Sequence, residues 1–403
     1  RTRAMPIDAI DDVLAVLSVE TPEALRGERL PLLFQCATAC GEEHAPQVVI
    51  LVERAFAGEA GLAALRQQHA FLGQGVAHAD PNVRAASLSQ LRRLCGSADD
   101  VTLLREHALL ALVGAAVGDA ELFVARHAMQ ALVTCAASGV APLRVLLEDG
   151  AALGVLGGLG SGAGGPGPGA RQAAVLRLRV LEMWAEASAT GEQQCALLLE
   201  RGMLAPLLPL LAEGDDPLAR LNVLELLQGV CGTQAGFAWL EAAGVPRLLC
   251  EEARRPLEED ALGAMQRPAL LRCLGAMVGG GGEAAAATLL NTHHLLELVW
   301  AHLACSEAEV LGAALDSLRR VGSAPQGLEA IARRAAAGGG GGSVLAPLQP
   351  LPSLLGGLVP GATAAAYSSL AQLCTTAAAA LTAAAALTAA AALTAAAALT
   401  AAA

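Results

Sequence analysis

The 403-residue chain contains no lysine, and all 26 of its basic residues are arginine. That absence excludes chemistries that need a primary amine: a phosphate-binding loop with its lysine, a kinase strand lysine, a Schiff-base lysine. Asparagine occurs only at positions 82, 222 and 291, and tyrosine only at 367. Aromatic residues are 2% of the chain, and 38 acidic against 26 basic residues leave a net charge of −12. Such a chain lacks both the cations that displace counterions from a phosphate backbone and the rings on which bases stack, so nucleic acid is excluded as a partner. The ten cysteines form no CxxC pair. Nothing at the N-terminus reads as a cleavable signal peptide, so reduced thiols in a cytoplasmic or nuclear protein are expected. The opening Arg1-Thr2-Arg3-Ala4-Met5 reads as a fragment or as a start at Met5.

What the chain has in abundance is self-similarity. Segments beginning at Val83, Val124, Leu176, Ala219 and Val310 each carry apolar or small residues at i, i+4, i+8 and about i+11, the stripe of a helix packed on one side. Aligned on Leu91, Leu132, Trp184, Leu227, Leu274 and Leu318, the spacings are 41, 52, 43, 47 and 44 residues. A weaker copy lies at 47–56. Between these helices, Leu146-Leu-Glu-Asp-Gly150, Leu198-Leu-Glu-Arg-Gly202 and Leu240-Glu-Ala-Ala-Gly244 each predict a helix ended by a left-handed glycine. A leucine-rich helix follows, and Asp80-Pro81, Gly118-Asp119 or Asp216-Pro217 breaks the chain before the next long helix. A period in the low forties with this order predicts an all-α fold, a right-handed α-solenoid of armadillo/HEAT-like repeats.

Residues 1–29 read as an N-terminal helical cap and 30–334 as the solenoid. The long spacing is explained by a Gly/Pro-rich insert at 157–170. It contains Gly160-x-Gly162-x-x-Gly165, but a dinucleotide fingerprint must follow a strand and open a helix, so this one reads as a linker. Residues 335–375 form a degenerate Gly/Pro/Ala-rich segment, and no charged residue follows Arg334. From 376 to 403 the chain runs in Ala/Leu/Thr hexads. Six residues turn a helix by about 600°, so successive leucines fall about 120° apart and form no stripe. Mostly Ala and Thr, without aromatic or basic anchors, this tail reads as translated low-complexity repeat rather than as a membrane anchor.

Candidate chemistry is sparse. Cys36, Cys40 and His44 share a helical face but lack a fourth zinc ligand, and buried cysteine acts as a small hydrophobe. Cys95, Cys135 and Cys231 hold equivalent repeat positions, as core packing would place them. His293, His294 and His302 have no metalloprotease spacing and read as surface or satisfied core. No nucleophile elbow or carboxylate pair stands out, so neither an enzymatic activity nor a cofactor is expected.

What remains is a surface. In an armadillo-type unit the third helix lines the concave groove, with outward positions two before and two after the buried anchor. These are Ser89/Arg93, Gln130/Thr134, Glu182/Glu186, Glu225/Gly229, Arg272/Ala276 and Asp316/Arg320. Repeat proteins that hold extended peptides put Trp and a ladder of Asn there, and this chain has neither. The charged members, Arg93, Glu182, Glu186, Glu225, Arg272, Asp316 and Arg320, form the candidate partner-binding groove. Arg84, Arg177 and Arg220 recur at helix starts and are expected to pair with the turn aspartates Asp80, Asp215 and Asp216.

The run His78-Ala-Asp-Pro-Asn-Val-Arg-Ala-Ala-Ser-Leu-Ser-Gln-Leu91 resembles the family of non-ATPase regulatory subunit 5 of the 26S proteasome. So do Leu176-Arg-Leu-Arg-Val-Leu-Glu-Met183 and Gly312-Ala-Ala-Leu-Asp-Ser-Leu318, and the order and spacing agree across about 30–334. The resemblance implies an armadillo/HEAT-like assembly chaperone of the regulatory particle base, without a cofactor. Its implied partners are proteasomal AAA ATPase subunits, gripped by their C-terminal small domain, and a non-ATPase base scaffold subunit. It implies no nucleic acid or membrane partner, and a monomer before binding. A cytoplasmic armadillo-type adaptor for peptides or signalling partners is the alternative. Further helical repeats would follow Arg334 in that family, and here the hexads stand in their place.

Overall fold

The computed structural model describes residues 8–331, apart from 42, 160–167, 213–216, 256–260, 304, 306 and 328. Of the Gly/Pro-rich insert expected at 157–170, residues 160–167 lie outside the described residues, as does everything beyond 331, hexad tail included; 157–159 instead close one helix and 168–170 open the next. The described residues are helical without a strand. They fall into two compact units that divide between Ala205 and Pro206.

In the first unit α1 (Asp8–Val19), α2 (Pro22–Arg26) and α3 (Leu30–Ala39) precede α4 (Ala45–Ala55). Triplets of two short helices and one long follow. They are α5 (Gly58–Gln67), α6 (His69–Val76) and α7 (Pro81–Arg93), then α8 (Ala98–Glu106), α9 (Leu109–Ala116) and α10 (Leu122–Ala137). A third triplet comprises α11 (Val140–Glu148), α12 (Gly150–Leu159) and α13 (Pro168–Ser188), before α14 (Glu192–Glu200). Like packs on like: α4 on α7 on α10 on α13, α8 on α11 on α14, and α6 on α9 on α12. In the second unit α15 (Leu207–Ala212) packs on α16 (Pro217–Val230), and α17 (Gln234–Ala242) and α18 (Val245–Ala253) lead to α19 (Ala261–Gly280). The last triplet is α20 (Gly282–Ala287), a π-helical turn (Thr288–Thr292), α21 (Leu295–His302) and α22 (Ala308–Ser323). Again α16 packs on α19 on α22, α17 on α20 and α18 on α21. Each unit is thus a stack of helical repeats, an all-α solenoid architecture.

Burial explains the stacking. All six anchors, Leu91, Leu132, Trp184, Leu227, Leu274 and Leu318, are buried. A fully buried leucine contributes roughly 2 kcal/mol, and the stripe recurs in every long helix, so each layer hides its neighbour's apolar flank. Local caps set the helix starts. Asp80 accepts from Asn82 N (2.8 Å) and Val83 N (3.3 Å) with Pro81 in the first turn, and Ser97 and Thr233 cap α8 and α17 in the same way.

At the turn before the second helix of a repeat, Gly202 (φ 70°) and Gly244 (φ 73°) take the left-handed conformation expected of them. Gly150 does not. Asp149 caps α12 instead, accepting from Ala151 N and Ala152 N at 3.0 Å, so no left-handed residue is needed there. In two other repeats this turn falls to side-chain-bearing residues, Ala108 (φ 55°) and His294 (φ 52°), at a cost of about 1 kcal/mol each.

Arginines tie layer to layer. Arg66 on α5 makes two hydrogen bonds to Asp100 on α8, at 2.7 and 2.9 Å. Arg84 on α7 pairs bidentately with Asp119 in the next turn (2.8 and 2.9 Å), and Arg220 on α16 pairs with Glu252 on α18. The expected partner Asp80 is therefore not used by Arg84, because its carboxylate is spent capping α7. Arg177 is exposed, and Asp215 and Asp216 lie outside the described residues. Other guanidinium groups brace backbone carbonyls at helix ends. Arg54 donates to Leu17 O and Ser18 O, Arg93 to Gly58 O, and Arg267 to Arg255 O. A five-donor planar fork serves both kinds of partner, which an ammonium does less well.

These pairings give the stack a two-step pH dependence. The Arg66 guanidinium holds the Asp100 carboxyl below the usual range. Burial pushes Asp119 up, but the bonds from Arg84 and Glu121 N outweigh it and the net shift is downward. Burial lowers His127 and His302, reinforced by Arg92 at the first and by Arg267 at the second, where a bond to the Leu298 carbonyl opposes it. A depressed group stabilises the fold above its unfolded value and loses that contribution as pH falls through the folded one. Stability is expected to drop first below the ordinary histidine value of 6.5 and again below the aspartate value of 3.8. Urea unfolding midpoints at about pH 7.5, 5.5 and 3.5 measure both steps; equal midpoints at the upper two would refute the histidine step.

Candidate partner-binding site

The buried stripe of each long helix leaves the positions flanking its anchor on the free side, since residues two apart on a helix point about 200° from each other. Three of the seven charged candidates nevertheless spend their charge within the fold. Arg93 is half-buried, donating to Gln90 Oε1 (2.9 Å), Gly58 O (2.7 Å) and Phe56 O, and so closes the end of α4. Asp316 is half-buried on α22 and accepts from Arg319 (2.7 Å) and Arg320 (3.0 Å). Burial pushes its carboxyl up, and the two guanidinium groups more than compensate, so it stays ionised.

The other four are exposed: Glu182 and Glu186 on α13 in the first unit, Glu225 on α16 and Arg272 on α19 in the second. None of their side chains has a hydrogen bond or ion pair with another described residue. Of the uncharged candidates, Gln130 is exposed, while Ser89, Thr134 and Gly229 are half-buried and Ala276 is buried. A residue outside the two-before, two-after rule joins them: Arg92, exposed on α7, donates to Gln130 Oε1 on α10 at 3.1 Å. Its position one after the anchor hid it from a rule built on single helices. The two helices meet so that a long side chain crosses between their faces.

Among the described residues the cysteines and histidines bring no reactive site together. Burial raises the Cys36 and Cys250 thiols to about 11 and Cys95 to about 12, and pushes Cys135 and Cys231 up as well. These thiols stay protonated at neutral pH and are poor nucleophiles. Cys36 and Cys40 are buried, while His44 Nε2 turns to Asp11 Oδ1 on α1 at 2.9 Å. Among the described residues no three His, Cys, Asp or Glu side chains stand so as to hold a metal ion, and no helix is long and apolar enough to cross a membrane. The first unit thus presents exposed, unpaired carboxylates on α13, and the second presents one carboxylate on α16 and one guanidinium on α19.

Solved structures similar to this chain include engineered proteins at low identity. A designed armadillo repeat protein in complex with the peptide (KR)4 is 17% identical and covers 64% of this chain and 98% of its own, at a TM-score of 0.40. An engineered protein covers 91% of this chain and 94% of its own at 14% identity and a TM-score of 0.38. Sequence says more. The human 26S proteasome non-ATPase regulatory subunit 5 is 25% identical over 245 residues, which span 60% of this chain and 46% of the human protein. This chain thus spans about half the length of the curated relative it matches. The family model described as proteasome non-ATPase 26S subunit matches residues 7–338. That stretch takes in every described repeat of both units, the exposed glutamates included, and the chain belongs to the proteasome non-ATPase 26S subunit family.

Proposed function

We propose that the chain is an assembly chaperone of the 26S proteasome regulatory particle base, holding an AAA ATPase subunit by its C-terminal small domain. The observation that carries this reading is the family match running the whole length of the described repeats, whose free faces carry charge and, among the described residues, no catalytic constellation. Glu182 and Glu186 in the first unit, and Glu225 in the second, each suit a basic patch on a folded domain, and complementary charge of this kind supplies on-rate and discrimination. Binding is stoichiometric and independent of ATP, as befits a chain without a phosphate-binding loop. Occupying the small domain blocks its docking on the core particle, and the chaperone leaves before the particle matures. A non-ATPase base scaffold subunit is the second partner, and the site of action is the cytoplasm or nucleus. Pull-down with the full chain against isolated C-terminal domains of the proteasomal ATPases tests this directly. Retention of at least one such domain is expected, and retention of none by the folded chain would overturn the reading.

A further inference from the structure

The second unit contains a cavity of about 870 Å³ whose chemistry runs against the rest of the chain. In a protein with a net charge of −12, its described lining holds four arginines, Arg247, Arg254, Arg255 and Arg267, against two glutamates, Glu251 and Glu297. His293, His294 and His302 complete the polar wall. Two repeats build it: α18 and the turn after it, the first turns of α19, and the π-helical turn that leads into α21.

Its floor is rigid. Arg267 is 2% exposed and donates to Ala253 O, Arg255 O (2.8 Å) and His302 Nε2 (2.9 Å), and the other ring nitrogen of His302 donates to Leu298 O (2.8 Å). His302 is thereby fixed in its neutral form, and the buried Arg267 is tied into the floor by these bonds. The rim is free to bind. Arg254 uses a donor on His293 O, leaving others of its five for a ligand. Among the described residues Arg247 engages only Glu251, one turn along its own helix, and both are well exposed. Arg255 is exposed at the end of α18. Burial chiefly lowers the pKa of His293, with Arg254 and Arg247 adding to it and Glu241 and Glu251 opposing. His294 sits at the rim in a left-handed turn where positions 202 and 244 have glycine, so a side chain stands here despite backbone strain. Between the charges the wall is apolar at Ala253, Leu298 and Ala301.

We propose that this cavity docks an acidic, extended segment of a partner protein, its carboxylates paired to Arg247, Arg254 and Arg255. Planar guanidinium groups bind carboxylates bidentately, several along one open cleft read several carboxylates in sequence, and the apolar strip accommodates the chain between them. The site goes beyond the chaperone reading and stands apart from it. None of Glu225, Arg272, Asp316 and Arg320 lines the cavity, and its ligand has the opposite charge to the one those glutamates select.

Fluorescence anisotropy of the full chain with a labelled octaglutamate peptide tests the proposal, with octaserine as the neutral control. Octaglutamate is expected to bind and octaserine not. The double variant Arg247→Glu/Arg255→Glu, whose side chains have no partner among the described residues except the exposed Glu251, should weaken binding about thirty-fold, with an unchanged circular dichroism melt. Arg144→Glu, an exposed arginine on α11 in the other unit, should leave it unchanged. Equal binding of both peptides, or equal weakening by Arg144→Glu, would overturn the assignment. So would displacement of the peptide by millimolar inorganic phosphate at matched ionic strength, which would mark a small-oxyanion site instead.

Discussion

Gly236→Ala is expected to destabilise the second unit by about 3 kcal/mol. Gly236 lies in the first turn of α17, where an added Cβ would stand 2.0 Å from Val230 O and 2.9 Å from both Val230 C and Thr233 Oγ1. Both obstacles are fixed. Val230 O belongs to the last turn of α16, and Thr233 is held as the α17 cap by accepting from Gly236 N at 3.1 Å. The methyl can be admitted only by moving α17 off the end of α16, which also breaks that cap. The same approach recurs at Gly61 over Phe56 O (2.0 Å) and Gly327 over Val321 O (1.9 Å), each where a long helix hands over to the next short one. The matched control is Gly279→Ala near the end of α19, where nothing lies within 4 Å of the added carbon. Helix propensity alone makes that change neutral or stabilising by up to about 1 kcal/mol. Urea unfolding of the two variants gives the comparison. A Gly236→Ala cost below about 1 kcal/mol would show that the layers are looser than this contact implies.

The second large effect concerns recognition. Replacing Glu182, Glu186 and Glu225 together by arginine is expected to weaken binding to the ATPase C-terminal domain by about 3 kcal/mol, on the order of a hundred-fold. Each reversal turns an attraction into a repulsion of comparable size, roughly 1 kcal/mol at an exposed site. None of the three carboxylates has an internal partner among the described residues, so the fold should be untouched. The loss should fall mainly on the association rate and shrink as salt is added, because these charges stand in solvent. Arg93→Ala is the instructive contrast. It removes the brace on Gly58 O and Phe56 O, and so should cost stability while leaving the affinity of the folded chain unchanged.

These two predictions mark where sequence was legible and where it was not. The repeat anchors, Leu91 to Leu318, could be read directly, because a stripe of period 3.6 is a local property of the chain and needs no knowledge of what packs against it. The left-handed turns at Gly202 and Gly244 were legible for the same reason. Gly150 misled because the residue before it, Asp149, caps the next helix and removes the need for a turn glycine. The position of Arg84 at a helix start shows that it bridges layers but not to which carboxylate, since Asp80 has a local use and Asp119 reaches over from the following turn. Arg93 carried no mark distinguishing it from a groove residue, because its partners are backbone carbonyls and every residue has one. The arginine cavity is built from four positions spread over 247–267 with histidines at 293–302. Only the stacking of α18 on α21 brings them together, although a run of basic residues in an acidic chain, at Arg254-Arg255, was the available clue.

The central claim is that these repeats grip a proteasomal ATPase as a passive, stoichiometric holder. Titration calorimetry of the full chain with an ATPase C-terminal small domain, run with and without ATP, tests it most directly. One domain bound per chain, with the same affinity in both titrations and loss of heat in the triple glutamate variant, is the predicted result. No measurable binding to the C-terminal small domain of any of the proteasomal ATPases, or a complex that forms only with nucleotide, would contradict it.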